Sequence, residues 1–342
     1  MARPRVGLIV NPAAGRDVRR LTGSAVVTDS YTKRRVAGAV VEGLTMVDAP
    51  VELVVMPDPA GIGETVLERA PEAVPCRLLD MDTEGSARDT RRAADRFRGA
   101  SAPVDTVDAV VVLGGDGTTR DVAQSVGDVP VGAVSTGTNN VVPSFVDGAV
   151  AGAAAGVVAT GAVPPADVCV RHGMVEATVV DPARDRERTV RGLVTVGVVD
   201  RAFVGTRAVL HGSEFVGGVV SHASPGDIGL SGIVGAVRSH APETPGGVAV
   251  RLAPVDDAPR CVRAITLPGV VERLGVADCT ALDDGEAVVF EVAQGVVSAD
   301  GERELEVTDG VVRIHPVDDG PRLLSFEETM AQAARDGCFV DG

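Results

Sequence analysis

The sequence predicts an α/β protein, with a doubly wound parallel-sheet domain first and a β-rich domain after it. Three observations carry this. Over roughly the first 160 of 342 residues, short apolar runs alternate with helix-patterned stretches. Past Gly161-Ala162-Val163-Pro164-Pro165 the pattern changes to short strand-like runs separated by Gly- or Asp-containing turns. Turns rich in Gly, Asn and Asp follow the first, fourth and fifth strands of the first half, the edge where open α/β sheets bind ligands.

In order, residues 6–10 read as a buried strand that ends in the turn Asn11-Pro12-Ala13-Ala14-Gly15. Residues 16–32 are polar and turn-rich and are expected to form an irregular loop over the site. Residues 36–44 suit a helix, 51–56 a second strand, 63–70 a helix and 76–79 a third strand. Ser86-Ala87-Arg88-Asp89 is a capping box with Asp in the acidic position, opening a basic helix that runs to Gly99. Residues 107–113 form an apolar run broken only by Asp108, as expected of a strand covered on both faces. A helix is expected from Thr118 to Val126, a fifth strand at 131–134 and an Ala/Gly-rich helix at 147–159.

In the second half, strands are expected at 168–170, 174–180, 189–198, 248–252, 262–267, 287–292, 295–298, 304–307 and 311–315. The glycine-rich run 211–237 reads either as a flexible segment or as a helix pair. Ser325-Phe326-Glu327-Glu328 caps a last helix to Arg335. The expected organisation is therefore residues 1–162, 163–320 and a terminal segment 321–342.

The chemistry concentrates at Gly114-Gly115-Asp116-Gly117-Thr118, between the fourth strand and its helix. Three glycines within four residues let backbone approach a ligand, because no Cβ intervenes. Amides of such a turn and of a first helical turn lack intrahelical partners and can hold phosphate. A carboxylate beside phosphate is repelled unless it is a base or holds a metal, which singles out Asp116. Arg120 is either a bidentate phosphate clamp or a surface arginine. Asp121 either complements the helix dipole or binds metal.

Composition narrows the classes. The core must be aliphatic, with 45% hydrophobic residues, no Trp, one Tyr and seven Phe. Net charge is −16 and Lys33 is the single lysine, which suits a salty cytoplasm, with a GC-rich mesophile as the alternative. Such acidity argues against nucleic acid or an anionic membrane as partner. No apolar run is long enough to span a bilayer, and no signal peptide is visible, so a cytoplasmic location is expected. The five cysteines are scattered and read as reduced thiols. A Walker A lysine and a Gly-x-Gly-x-x-Gly fingerprint are both absent. Cys169 and His172 are too few for a metal site, and His211, His222 and His240 either orient a substrate or are simply packed or solvated.

The Gly114–Thr118 pentapeptide resembles the signature shared by NAD kinases and diacylglycerol-type lipid kinases. Asn11-Pro12-Ala13-Ala14-Gly15 is similar to the Asn-Pro-x-x-Gly element of the lipid-kinase and AcoX-like branches. Gly137-Thr138-Asn139-Asn140 is similar to the Gly-Thr-x-Asn element after the fifth strand of lipid kinases. The wider run 114–122 looks most like the ATP-NAD kinase or AcoX-like (acetoin catabolism protein X) branch, since lipid kinases carry Asn-Glu where this chain has Arg120-Asp121. Asp300-Gly301-Glu302 resembles the Asp-Gly-Glu/Gln turn of the superfamily. The resemblance covers residues 5–160 and thins beyond them.

The resemblance implies a β-sandwich second domain, a chain end returning to the first domain, and a dimer or tetramer. It implies ATP-dependent phosphoryl transfer to a hydroxyl, foremost the adenosine ribose 2′-hydroxyl of NAD, giving NADP. Asp116 would be the base, and Gly114, Gly115, Gly117 and Thr118 would hold phosphates. Asn11, Gly15, Gly137 and Asn140 would line the nucleotide or acceptor, Thr138 would shape its turn, and Asn139 is open. Mg²⁺ would offset phosphate charge without an identifiable protein ligand set, and polyphosphate is an alternative donor. The second half departs from NAD kinases: the stretch nearest their Gly-Ser-Thr-Ala-Tyr element is 226–232, which has no tyrosine and leaves Ser231 as the substrate-binding candidate. The Asn-Glu or Asn-Asp pair that binds ribose in that family is also not evident after residue 165. The alternatives are a kinase for a lipid or small polyol, and a non-catalytic nucleotide-binding accessory of an acetoin or 2-oxo-acid dehydrogenase system.

Overall fold

A computed structural model describes residues 3–14, 29–101, 103–136, 140–181, 186–200, 209 and 211–340. Its residues gather in two compact units, one running to Val170 and resuming at Pro321, the other holding Arg171–Gly320.

The first unit is built on a seven-stranded sheet. Its strands are β1 (Arg5–Val10), β2 (Glu52–Val55), β3 (Cys76–Leu78), β4 (Ala109–Gly114), β5 (Val131–Ser135), β6 (Cys169–Arg171) and β16 (Arg322–Leu324). The order is β3-β2-β1-β4-β5-β16-β6. Every pairing from β3 across to β16 is parallel. The chain leaves β1 toward β2 on one side and reaches β4 on the other, so the β1/β4 boundary is the topological switch point.

Helices cover both faces, which explains the unbroken apolar runs of the central strands. Leu8, Val10, Val111 and Leu113 pack with α1 (Ser30–Leu44), α2 (Ile62–Arg69), α5 (Gly148–Ala159) and α8 (Phe326–Arg335). Ile9, Val110 and Val112 pack with α3 (Ala87–Phe97) and α4 (Asp116–Ala123) on the opposite face. The α3 capping box forms as expected, with the Asp89 carboxylate accepting from Ser86 N.

Several boundaries differ from expectation. Helix α1 begins at Ser30, well before residue 36, because the Asp29 carboxylate accepts the Thr32 amide as an N-cap. Strand β4 starts at Ala109, one residue after Asp108, whose amide donates to Arg5 O at 2.9 Å and whose carboxylate accepts the Arg5 amide at 2.8 Å. The unit boundary lies past the Gly161–Pro165 stretch, because a short helix α6 (Pro165–Val168) intervenes and Val168 and Cys169 join the first unit's core.

The second unit is one nine-stranded, wholly antiparallel sheet. Its strands are β7 (Met174–Asp181), β8 (Arg186–Gly192), β9 (Thr195–Val199), β10 (Phe215–Val220), β11 (Gly247–Ala253), β12 (Arg260–Leu267), β13 (Val270–Leu282), β14 (Val288–Ala299) and β15 (Glu302–Val317). The order is β12-β13-β11-β10-β9-β14-β15-β7-β8, and the sheet curls until β7 meets β9 and β10. A core from Val175, Val196, Val219, Phe290 and Val312 fills the curl.

The stretch expected as one strand at 189–198 is two, parted by a turn whose Leu193, Val194 and Thr195 amides all donate to the Asp300 carboxylate at 2.8–3.0 Å. The glycine-rich run holds strand β10 and a short helix α7 (Leu230–Gly235) in place of a flexible segment or helix pair. Strand β13 escapes the sequence pattern because most of its polar residues face solvent without a regular alternation. Strands β14 and β15 each merge two expected runs, with Asp309 adopting φ 47° inside β15.

Candidate functional site

The site is assembled at the carboxyl ends of β1, β4 and β5. Helix α4 begins at Asp116 rather than at Thr118, so the acidic residue of the motif occupies its first helical position. Gly115 is the N-cap, and no side chain caps this helix. The amides of Gly117 and Thr118 therefore point out of an uncapped N-terminus, which favours an anion. Gly114 is required for close approach, because a Cβ there would stand 2.5 Å from Thr118 Cβ.

Asn11 ties the first motif to the second. Its backbone amide donates to Leu113 O at 3.1 Å, and its Nδ2 donates to Thr118 Oγ1 at 2.8 Å. Its Oδ1 accepts the Ala13 amide at 2.9 Å, making an Asx turn. Since Thr118 Oγ1 accepts from Asn11, its own proton is left to donate elsewhere, as a phosphate oxygen would require.

Asp116 ties the second motif to the third. Its Oδ2 accepts the Val141 amide at 2.8 Å and its Oδ1 the Val142 amide at 2.9 Å. Asp116 is 7% exposed. These two bonds fix the carboxylate against the segment that follows β5. The following segment is locked to β5: Ser144 N donates to Ala133 O, and Ser135 N to Ser144 O. Asn140 Nδ2 donates to Ser135 Oγ at 2.5 Å.

The remaining candidates divide. Gly15, Gly137, Thr138 and Asn139 lie outside the described residues. Asp121 accepts Arg91 Nε at 2.9 Å, a link between α3 and α4. Arg120 is 6% exposed, which removes the surface-arginine alternative. Ser231, in the second unit, is fully buried, its Oγ lying 2.6 Å from Asp227 Oδ2 and 2.7 Å from His222 O. Asp227 Oδ2 also lies 3.3 Å from His222 Nε2, so Ser231 belongs to a packed polar cluster. Burial holds the neighbouring His172 at a pKa of about 4, despite its ring hydrogen bond to Gly173 O. His211 stands near Glu272 on the surface, away from this cluster.

Among the described residues, no group of three or more His, Cys, Asp or Glu side chains could hold a metal ion. Asp116 and Asp121 are both engaged by protein donors. This donor set does not make a protein cage for magnesium. One group was missed by sequence reasoning: Lys33, from α1, reaches the turn that carries Asn11. Its signal was its rarity, as the only lysine in the chain.

A family model described as "ATP-NAD kinase N-terminal domain" matches residues 6–162, and one described as "Acetoin catabolism protein X C-terminal domain" matches 178–318. Acetoin catabolism protein X of Cupriavidus necator is 30% identical over 341 residues, covering 97% of this chain and 93% of that protein. The crystal structure of yeast NADH kinase complexed with NADH superposes with a TM-score of 0.53 at 13% identity, over 98% of this chain and 87% of that one. At that identity the likeness speaks to fold alone, and it matches the arrangement of a parallel α/β unit followed by a large antiparallel sheet. A first unit of the ATP-NAD kinase type and full-length similarity to the curated relative place this chain in the acetoin catabolism protein X (AcoX) family.

Proposed function

We propose that the chain is a kinase of the NAD-kinase type, moving the γ-phosphoryl group of ATP to a hydroxyl, foremost the adenosine ribose 2′-hydroxyl of NAD. The supporting observation is the joining of the motifs at one switch point: Asn11 bonded to Thr118, and Asp116 bonded to the segment after β5. In this reading the amides of Gly115, Gly117 and Thr118 hold the phosphates. The Thr118 hydroxyl donates to them, and Arg120 supplies nearby positive charge.

Asp116 accepts the acceptor's proton as the new O–P bond forms and the bond to the ADP oxygen breaks. Catalysis of this kind is mostly positioning and charge stabilisation. A magnesium ion would neutralise phosphate charge and would be carried by the phosphates, since the described residues offer it no cage. Asn140, Gly15 and the 137–139 segment would complete the nucleotide contacts. A homo-oligomer in the cytoplasm fits this reading; among the described residues no helix is long and apolar enough to cross a membrane.

NADP formation from NAD, ATP and Mg²⁺ at high KCl tests the reading, with Asp116→Asn in parallel. The wild type should turn over, and the variant should lose about 10²-fold or more in kcat. If wild type makes no NADP while ATP still raises its melting temperature, the nucleotide site stands and the acceptor is another hydroxyl compound. No effect of ATP at all would overturn the kinase reading.

A second reading, a nucleotide-binding accessory of an acetoin dehydrogenase system, is favoured by the relative's name. It requires that Asp116→Asn loosen the loop without any turnover to lose.

A further inference from the structure

The single lysine lies in the machinery and no motif accounts for it. Lys33 is 0% exposed, inside a first helical stretch otherwise rich in arginine and solvated residues. Its Nζ donates to Pro12 O at 2.9 Å and to Ala14 O at 2.6 Å. Those carbonyls belong to the turn after β1, whose Asn11 donates to Thr118 at the N-terminus of α4.

Carbonyl oxygens repel phosphate oxygens, so where they point matters to a phosphate site. Drawing two of them onto one ammonium keeps their partial negative charge away from the α4 terminus. It also holds the turn at the height where Asn11 meets Thr118. Arginine also carries a positive charge and N–H donors that can reach carbonyl oxygens, so it tests the charge and donor role separately from the lysine stem.

We propose that Lys33 is a positioning residue of the nucleotide site, acting through the Pro12 and Ala14 carbonyls to set Asn11 and, through it, the Thr118 hydroxyl. The proposal rests on the kinase reading above. It predicts an effect on ATP handling separate from acceptor handling. Lys33→Met should raise KM for ATP about ten-fold or more, with KM for the acceptor unchanged. Lys33→Arg, which keeps charge and donors, should recover part of that loss. Equal ATP parameters in wild type and Lys33→Met, or equal impairment in the Met and Arg variants, would overturn it.

Should the Met variant fail to fold, the wild type decides, because its one lysine is a unique reporter. Acetylation of Lys33 by an amine-reactive ester, followed by mass spectrometry, should be about ten-fold slower in native protein than in urea. ATP should slow it about three-fold further, because binding stabilises the docked turn. A native rate equal to the rate in urea, or one indifferent to ATP in a protein that ATP stabilises, overturns the assignment. Absence of any ATP effect on the wild type's melting temperature overturns the kinase reading itself, which separates the two failures.

Discussion

At the residue scale, the candidate site depends on a few small groups whose neighbours leave them no freedom. Gly114 is one. A methyl group at this position would sit 2.5 Å from Thr118 Cβ, an atom that no rotamer change can move away. Gly114→Ala should therefore displace the first turn of α4 and destabilise the first unit by about 1–3 kcal/mol, as overpacking does. Urea denaturation measures the stability, and loss of the ATP-induced rise in melting temperature reports the displaced terminus. Thr118→Ala should not rescue the variant, because the clashing Cβ remains. The glycines and Asp116 were legible in the sequence as a strand-to-helix turn. That both Asp116 oxygens accept amides from Val141 and Val142 was not, because those donors lie 25 and 26 residues further along the chain.

At the element scale, α1 and α5 touch backbone to backbone. A Cβ on Gly152 would lie 2.0 Å from Val40 O, one on Gly43 2.0 Å from Ala149 O, and one on Gly148 2.4 Å from Val36 O. These contacts explain why α5 reads as an almost unbroken Ala/Gly run, a composition that otherwise gives a helix little to bury. Gly152→Ala should gain about 1 kcal/mol in helix propensity. The clash with a backbone oxygen that cannot rotate away costs more, toward about 3 kcal/mol. The expected net is a loss of about 2 kcal/mol, read from the midpoint of chemical denaturation; a stabilised variant would refute the close packing. The same contacts brace α1, the helix that carries Lys33 to the site.

At the scale of the whole molecule, buried histidine makes stability depend on pH. His172 is held at about 4 against an ordinary 6.5, chiefly by desolvation and in lesser part by the nearby His222. Burial also lowers the His240 pKa. Between pH 6.5 and 4 the unfolded chain takes up a proton at residue 172 that the folded chain refuses, so stability rises with pH across that window. It should fall by about 3 kcal/mol as pH drops from 7 toward 4, from His172 alone. Denaturation series at pH 7.5 and 5 check the direction, and His172→Gln should flatten the slope. A slope unchanged in that variant would assign the dependence to other groups.

By itself the sequence determined the class of both halves, the α3 capping box, the glycine-rich turn after β4 and the acidic residue within it. These are local properties, written in hydrophobic period, glycine placement and capping chemistry over a few neighbouring residues. Only the tertiary structure decided that the single nine-stranded sheet keeps β13 and merges the runs in β14 and β15, since strand extent is set by the partner ladder. It also decided that Asp300 divides β8 from β9, that Asp121 is paired with Arg91, and that Lys33 donates to the turn after β1. Each of these is a contact between residues far apart in sequence, and no periodicity along the chain records which distant donor a carboxylate or carbonyl will meet.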